Sequence, residues 1–303
     1  EALDVLIERV LTWLRAVELS PVEGAIGSTD AASSAVSTVL HAAKRKTFQQ
    51  MKTYKHRVQV EAIAAECLLH LPPDCDHLVE MGAGQAVLGH AVSLASGLPL
   101  TAIERRSNAT AFDHHDQEDV QPVNRVVADI ADEEAWPSDG QVAMLAKHLC
   151  GGSSDIAVDC ALRLGGRLSL FCLAPCCHAK LTWSEWPEDS KVWLNQAGFP
   201  GGSEEFSILC DLVRLSRAGR TLGNGAVPCA KWRLRTQIQD EEEVLDLGRK
   251  ACRVFDEARL ARLRQSGLEA RLVQYCDASL TPDNVLLLAR GAGSACSHVK
   301  MAG

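Results

Sequence analysis

His77-Leu78-Val79-Glu80-Met81-Gly82-Ala83-Gly84-Gln85-Ala86-Val87-Leu88-Gly89 decides how this chain folds. A short apolar run ending near an acid enters a turn with glycines at alternate positions, and a helical pattern, 86–96, leaves it. Glycine supplies the backbone conformations that such a turn needs. Strand, glycine turn and helix form the first unit of a parallel α/β sheet. Downstream the unit repeats. Residues 98–104 read as a second strand ending in Glu104, Ser107 opens another helix, and 123–129 is a third strand ending in Asp129. Residues 141–146 read as a fourth strand, 154–164 as a helix and 167–174 as a fifth strand. The alternation predicts an α/β fold with a doubly wound, mostly parallel sheet and right-handed crossovers.

Upstream, Leu3, Leu6, Ile7, Val10, Leu11 and Leu14 have helical spacing. Residues 21–37 are small, polar and rich in Gly, Ser and Ala, which predicts a flexible linker. A helix resumes near His41 and stops before Pro72-Pro73. Residues 1–72 therefore read as an N-terminal helical extension and 73–303 as the main domain. After Cys177 the rhythm breaks, and residues of about 178–240 read as a substrate-binding insertion. A long charged helix over 241–265 and two closing strands, 272–275 and 285–289, complete the pattern.

Composition narrows the classes. The 303 residues are 47% hydrophobic, enough for a substantial core. No apolar stretch approaches the ~20 residues that cross a bilayer, so no membrane partner is expected. The 12 cysteines include no C-x-x-C pair, and Cys67, Cys160, Cys172 and Cys210 lie in apolar runs. Reduced, buried thiols fit an intracellular protein of the cytoplasm or nucleus, the nucleolus included. No zinc finger or other metal site is expected. The chain starts at Glu1, not methionine, and reads as a piece of a longer protein. Its net charge of −8 does not suit binding of nucleic acid by phosphate neutralisation alone. Base is nevertheless clustered, at Lys44-Arg45-Lys46, at Arg214, Arg217 and Arg220, and at Lys231 and Arg233, which leaves room for a local RNA-binding face.

The turn discriminates between cofactors. A dinucleotide fingerprint needs glycine where Val87 stands. The E/D-x-G-x-G-x-G turn of S-adenosylmethionine-dependent methyltransferases fits at Glu80, Gly82, Ala83 and Gly84, with Ala86 in place of the last glycine. Glu104 has the spacing of an acid that holds ribose hydroxyls, and Asp129 could accept from an adenine amino group.

Two thiol-bearing segments follow the fourth and fifth strands: Lys147-His148-Leu149-Cys150-Gly151 and Pro175-Cys176-Cys177-His178. Open α/β sheets do their chemistry beyond the carboxyl ends of strands, so both fall where substrate would sit. Two chemistries stay open on the residues alone. A cysteine thiolate could add to a cytosine ring for methylation at C5. Alternatively, Lys147 or His148 could help a hydroxyl lose its proton while it attacks a methyl group. A metal set of Cys150, Cys172, Cys176 and His178 matches no common zinc spacing.

Lys147-His148-Leu149-Cys150-Gly151-x-x-x-Asp155, followed by Cys176-Cys177-His178 and Trp183, resembles the eukaryotic tRNA 2′-O-ribose methyltransferases that modify the fourth nucleotide of the acceptor stem. The likeness extends to Lys55-His56, the Glu80–Gly84 turn, Asp256, Arg259, Tyr275 and Pro282-Asp283-Asn284-Val285-Leu286-Leu287. It implies a class I methyltransferase fold, S-adenosylmethionine as methyl donor, and tRNA with cytidine or adenosine at that position as substrate. It decides against the thiolate route, and the complete set of Glu80, Gly82, Gly84, Glu104 and Lys147 counts against a non-catalytic tRNA-binding adaptor. On this resemblance, Glu80, Gly82, Ala83, Gly84, Glu104, Asp129 and Lys147 are expected at the cofactor. Lys147, His148, Asp155 and His178 are expected in catalysis. Cys176, Cys177, Arg214, Arg217, Arg220, Lys231, Arg233 and Arg259 are expected to contact substrate. The sequence departs from the family pattern at Ala86, at Ala179-Lys180-Leu181 and at Ala258, and shows none of the small zinc modules that members often carry near the N-terminus.

Overall fold

The computed structural model describes residues 3–25, 27–42, 53–107, 123–218, 237–238 and 240–291. The helix expected from Ser107 and the basic residues Lys44-Arg45-Lys46, Arg220, Lys231 and Arg233 lie outside them, apart from Ser107 itself. Along the chain come α1 (Leu3–Ala16), β1 (Val22–Gly24), α2 (Asp30–Ala42), α3 (Thr53–His70), β2 (His77–Met81), α4 (Val87–Ser96), β3 (Leu100–Glu104) and β4 (Val123–Val127). Then follow β5 (Val142–Cys150), α5 (Ser153–Leu164), β6 (Leu168–Cys176), α6 (Glu188–Gln196), α7 (Ser203–Ala218), α8 (Glu241–Gln265), β7 (Leu268–Gln274) and β8 (Val285–Gly291). The chain divides into two compact units. One holds residues 22–149, 156–175 and 263–303, the other 1–21, 150–155 and 176–262.

The first unit contains the sheet, in the order β1-β7-β8-β6-β5-β2-β3-β4. β2 pairs in parallel with both β3 and β5, β3 with β4, and β1 with β7. β8 runs antiparallel to β6 and β7. The chain winds outward from β2 to β4, then returns to β5 on the other side of β2. That reversal makes a switch point between β2 and β5, where the carboxyl ends of neighbouring strands splay open for a ligand. A doubly wound sheet with one antiparallel strand is the class I methyltransferase arrangement that the resemblance implied.

Two expectations are corrected. The supposed linker over 21–37 contains β1 and more than half of α2. Thr29 supplies the start of α2: its hydroxyl oxygen accepts the Ala32 N–H at 3.2 Å. Ala32, Ala35, Val36 and Val39 are buried in the same core cluster as Val60, Ile63 and Ala91, from α3 and α4. Small side chains here mean close packing, not flexibility. The second correction concerns β5 and β6, which run on through Lys147–Cys150 and Pro175–Cys176. The Gly151 N–H reaches the Cys176 carbonyl at 3.2 Å, which ties the two ends beyond the apolar runs.

The second unit is helical. Leu6, Ile7, Val10, Leu11 and Leu14 form the buried stripe of α1, at the spacing read from the sequence. They join a core with Trp186, Leu194, Phe206, Leu209 and Phe255. Phe206 lies 5.0 Å from Trp186 and 5.3 Å from Phe255 between ring centroids, in tilted and edge-to-face contacts worth roughly 0.5–1.5 kcal/mol each beyond area burial.

Candidate active site

In the sheet unit, the turn after β2 holds Gly82 at φ 60°, Gly84 at φ 51° and Ala86 at φ 58°. A Cβ on Gly82 would come 2.6 Å from Leu149 Cδ2, so its glycine is required by packing as well as by φ. Around Gly84 an added Cβ would meet nothing within 4 Å, which leaves bare backbone facing open space. Glu104, ending β3, accepts the Gly84 N–H at 3.0 Å through Oε2. Among the described residues its Oε1 has only a long 3.4 Å contact with the Arg106 N–H, which leaves acceptor capacity there. Asp129 lies two residues past β4, paired to Arg105 at 3.2 Å, with Oδ1 accepting the Ala131 N–H at 3.0 Å. An open glycine backbone beside a strand-end carboxylate fits S-adenosylmethionine, which brings ribose hydroxyls and an amino-acid tail.

Glu80 is placed differently from the other acids. Its carboxylate is buried and Oε2 accepts the Gly89 N–H at 2.8 Å, at the start of α4. Burial pushes its pKa up to about 7, opposed by the Gly89 amide, Arg125 and Lys147. A Cβ on Gly89 would lie 2.6 Å from that oxygen and within 3 Å of Leu100, which explains a glycine inside a helix. Glu80 is thus committed to holding the turn, and Gly89 was not singled out as a site residue.

Lys147 lies within β5, beside the switch point, and is only 8% exposed. Its Nζ donates to His56 Nδ1 at 2.8 Å. The His56 and His148 rings lie nearly parallel, 13° apart, with centroids separated by 6.5 Å. Burial, then the charge of Lys147 and of His148, lowers the His56 pKa to about 4. Partial desolvation and Lys147 lower His148 to about 4 as well. Both imidazoles are therefore neutral at ordinary pH, and His56 can accept from the amine. His148 adopts φ 70°, a left-handed conformation rare for a side chain with a Cβ, inside the last turn of a strand. His56 comes from α3, 91 residues away in sequence, so no local pattern could announce the pair.

In the helical unit, His178 is 2% exposed and its Nε2 donates to Asp256 Oδ1 at 2.8 Å. Arg259, fully buried, bonds Asp155 at 3.1 and 2.7 Å and Asp256 at 3.0 Å, and meets the Gly151 carbonyl at 3.5 Å. Burial alone lowers the His178 pKa, but Asp256 and Cys252 outweigh it and raise it to about 10. Burial raises the pKa of Asp256, and His178 and Arg259 reverse this to hold it below the usual carboxylate range. Cys252, Asp256 and Arg259 share one face of α8 at helical spacing. The network alternates two positive and two negative groups, and so is charge-balanced.

This corrects three expectations. Asp155 and His178 cannot move protons for a substrate while locked in a buried ion-pair network, and Arg259 cannot reach a phosphate. Arg214 is tied to Asp211 at 2.6 Å and to the Ala179 carbonyl, so its guanidinium serves the fold. Arg217 lies nearby in the last turn of α7. Cys172 belongs with Cys67 in the core, not with a metal set. Cys150 and Cys176 bring their sulfurs within 3.5 Å of each other. Burial and the neighbouring Cys177 thiol raise the Cys150 pKa, the reverse of what a thiolate nucleophile needs.

The sequence pattern of the family described as "Methyltransferase TRM13" matches residues 58–290. The chain belongs to the TRM13 methyltransferase family. This is the family that the motifs resembled. Three proteins called "tRNA:m(4)X modification enzyme TRM13" are similar to it. The one from Yarrowia lipolytica is 24% identical over 290 residues, covering 81% of this chain and 61% of its own length. That from Kluyveromyces lactis is 24% identical over 241 residues, covering 70% and 55%. That from Schizosaccharomyces pombe is 25% identical over 273 residues, covering 83% and 72%. The chain thus spans less than two thirds of the length of the first two. The plantazolicin methyltransferase BpumL in complex with SAH aligns over 96% of both chains with 12% identity, but its TM-score of 0.36 carries no argument.

Proposed function

We propose that this chain binds S-adenosylmethionine and methylates tRNA, at a ribose 2′-hydroxyl of the acceptor stem, on cytidine or adenosine at the fourth nucleotide. Family membership and the printed activity of the yeast relatives support tRNA methylation. The observation that carries the ribose reading is the Lys147–His56 pair at the switch point. When bound, S-adenosylmethionine supplies an electrophilic methyl group. The glycine turn and Glu104 hold the cofactor, with Glu104 accepting from ribose hydroxyls and Asp129 at the adenine side. Lys147 Nζ, as the neutral amine, takes the proton of the attacking 2′-hydroxyl and becomes the ammonium. His56, neutral and fixed in α3, holds the amine in place by accepting one of its N–H bonds, in either of the amine's charge states. Methylation of an alcohol needs a positioned oxygen and a proton acceptor, and no covalent enzyme–base bond. No observation favours the C5 route, because the Cys150 thiol is held protonated.

Incubating the chain with tritiated cofactor and bulk tRNA, followed by alkaline digestion, tests the reading. Label in alkali-resistant dinucleotides is expected. Label in 5-methylcytidine, or trapping of RNA that contains 5-fluorocytidine, would replace ribose chemistry with thiol chemistry. Tight tRNA binding without labelled product would identify an adaptor.

A further inference from the structure

At the last residues of β5 and β6 three thiols converge. The sulfurs of Cys150, Cys176 and Cys177 all lie within 4.8 Å of one another. Cys150 and Cys176 are tied by the Gly151 N–H bond to the Cys176 carbonyl. Cys176 and Cys177 are adjacent, and in an extended strand adjacent side chains point to opposite faces. Cys177 escapes that alternation by taking φ 55°, ψ 34°. Such a left-handed conformation costs a residue with a Cβ roughly 1–2 kcal/mol. A strained backbone that brings a third sulfur to two others points to a use for all three.

A disulfide would use two sulfurs and leave the third without a role. A metal ion uses all of them. Tetrahedral zinc with Zn–S bonds of about 2.3 Å sets its sulfurs about 3.8 Å apart, close to the observed spacing. Cys176 is buried whereas Cys150 is exposed, so one side of the cluster opens to water. His178 does not complete the set, because its ring is not among the groups that gather within 4.8 Å there. Lys180 stands beside Gly151 and its charge acts on Cys150, where it would offset the excess negative charge of three thiolates.

We propose that Cys150, Cys176 and Cys177 form a zinc site with three thiolate ligands and a fourth position taken by water. On binding, three S–H bonds give way to three Zn–S bonds, and three protons pass to solvent. No redox partner is needed. The site is independent of the methyl-transfer reading, and its test does not use activity.

The 303-residue chain, reduced and stripped of metal without oxygen, is titrated with Co²⁺. One Co²⁺ per chain is expected, with intense thiolate-to-cobalt absorption that Zn²⁺ abolishes. Cys150→Ser and Cys177→Ser should each weaken binding by more than the roughly 10- to 100-fold that a supporting group is worth. Cys276→Ser, at a thiol elsewhere in the fold, should leave binding unchanged. In the unmutated chain, Zn²⁺ should protect Cys150 and Cys177 from iodoacetamide, read by peptide mass. An absent cobalt band overturns the proposal, as does a band that survives both variants or alkylation that zinc does not alter. A Cys150–Cys176 disulfide formed in air, with no metal uptake, would overturn it in favour of a redox pair.

Discussion

Lys147 with its two histidines, and Arg259 with its two aspartates, are both largely buried polar groups built around one cation, yet they do different work. Around Arg259 every charge has an opposite partner: Asp155, Asp256 and His178 close the set. Beside Lys147 stand two imidazoles held neutral, with pKa values of about 4, and the buried Glu80 feels its charge. A closed network spends its hydrogen bonds on the fold and is costly to break. An amine held by a neutral imidazole can exchange a proton with a substrate without breaking an ion pair of that kind. Burial and charge alone did not separate these roles; the partners did.

The sharpest break comes at the lysine. Lys147→Met is expected to lower kcat for methyl transfer by about 10²–10⁴-fold, the usual worth of a general base, with little change in denaturation midpoint. Lys147→Arg should fail too, because guanidinium cannot accept the proton. Full activity in the Arg variant would remove the proton-acceptor role. On the other side, Arg259→Met strips the buried Asp155 of its cation while Asp256 keeps His178, and should cost about 3–5 kcal/mol in urea unfolding. A loss below about 1 kcal/mol would place the network among ordinary surface pairs.

Gly89→Ala pushes a methyl against Glu80 and Leu100, and should destabilise the chain by about 1–3 kcal/mol in the same assay. An unchanged midpoint would mean that Glu80 is not locked to α4. The histidines separate the two regions by pH. Folding lowers the pKa of His56 from 6.5 to about 4, so the unfolded chain binds more protons between those values. Its contribution to stability is therefore present above pH 6.5 and is lost as pH falls toward 4. Glu80 acts with the opposite sign: raised from 4.5 to about 7, it removes stability as pH rises through that window. Proton NMR of His56 should show no titration between about pH 5 and 8, and a midpoint near 6.5 would break the neutral-acceptor picture. The smallest effect is expected at Ala86. Ala86→Gly relieves a left-handed backbone worth about 1–2 kcal/mol but deletes a buried methyl, so the net change should stay within about 1 kcal/mol.

The strand alternation, the glycine turn and the long helix over 241–265 were readable because each is a local periodicity. The linker over 21–37 misled for a physical reason: alanine, serine and valine are ambiguous until a neighbouring helix offers a surface to close on. Lys147, Glu104 and the turn were legible as a strand-end pattern. His178, Asp155 and Arg259 were legible only as notable residues, since a motif names which groups are unusual without saying what they touch. His56 and Leu149 received no role, the first because its partner lies 91 positions away.

The sequence by itself determined the strand–helix alternation from the glycine turn onward and the strand ends where chemistry gathers, and its motifs resembled the family to which the chain belongs. The alternation follows from periodicity and turn chemistry, which act over a few residues. Only the tertiary structure decided which polar groups are locked and which stay available. It turned His178 and Arg259 inward to balance two aspartates, set His56 against Lys147, and drew Cys177 to Cys150 and Cys176. Those outcomes depend on desolvation and on pairings between distant segments, and neither exists until the chain has packed.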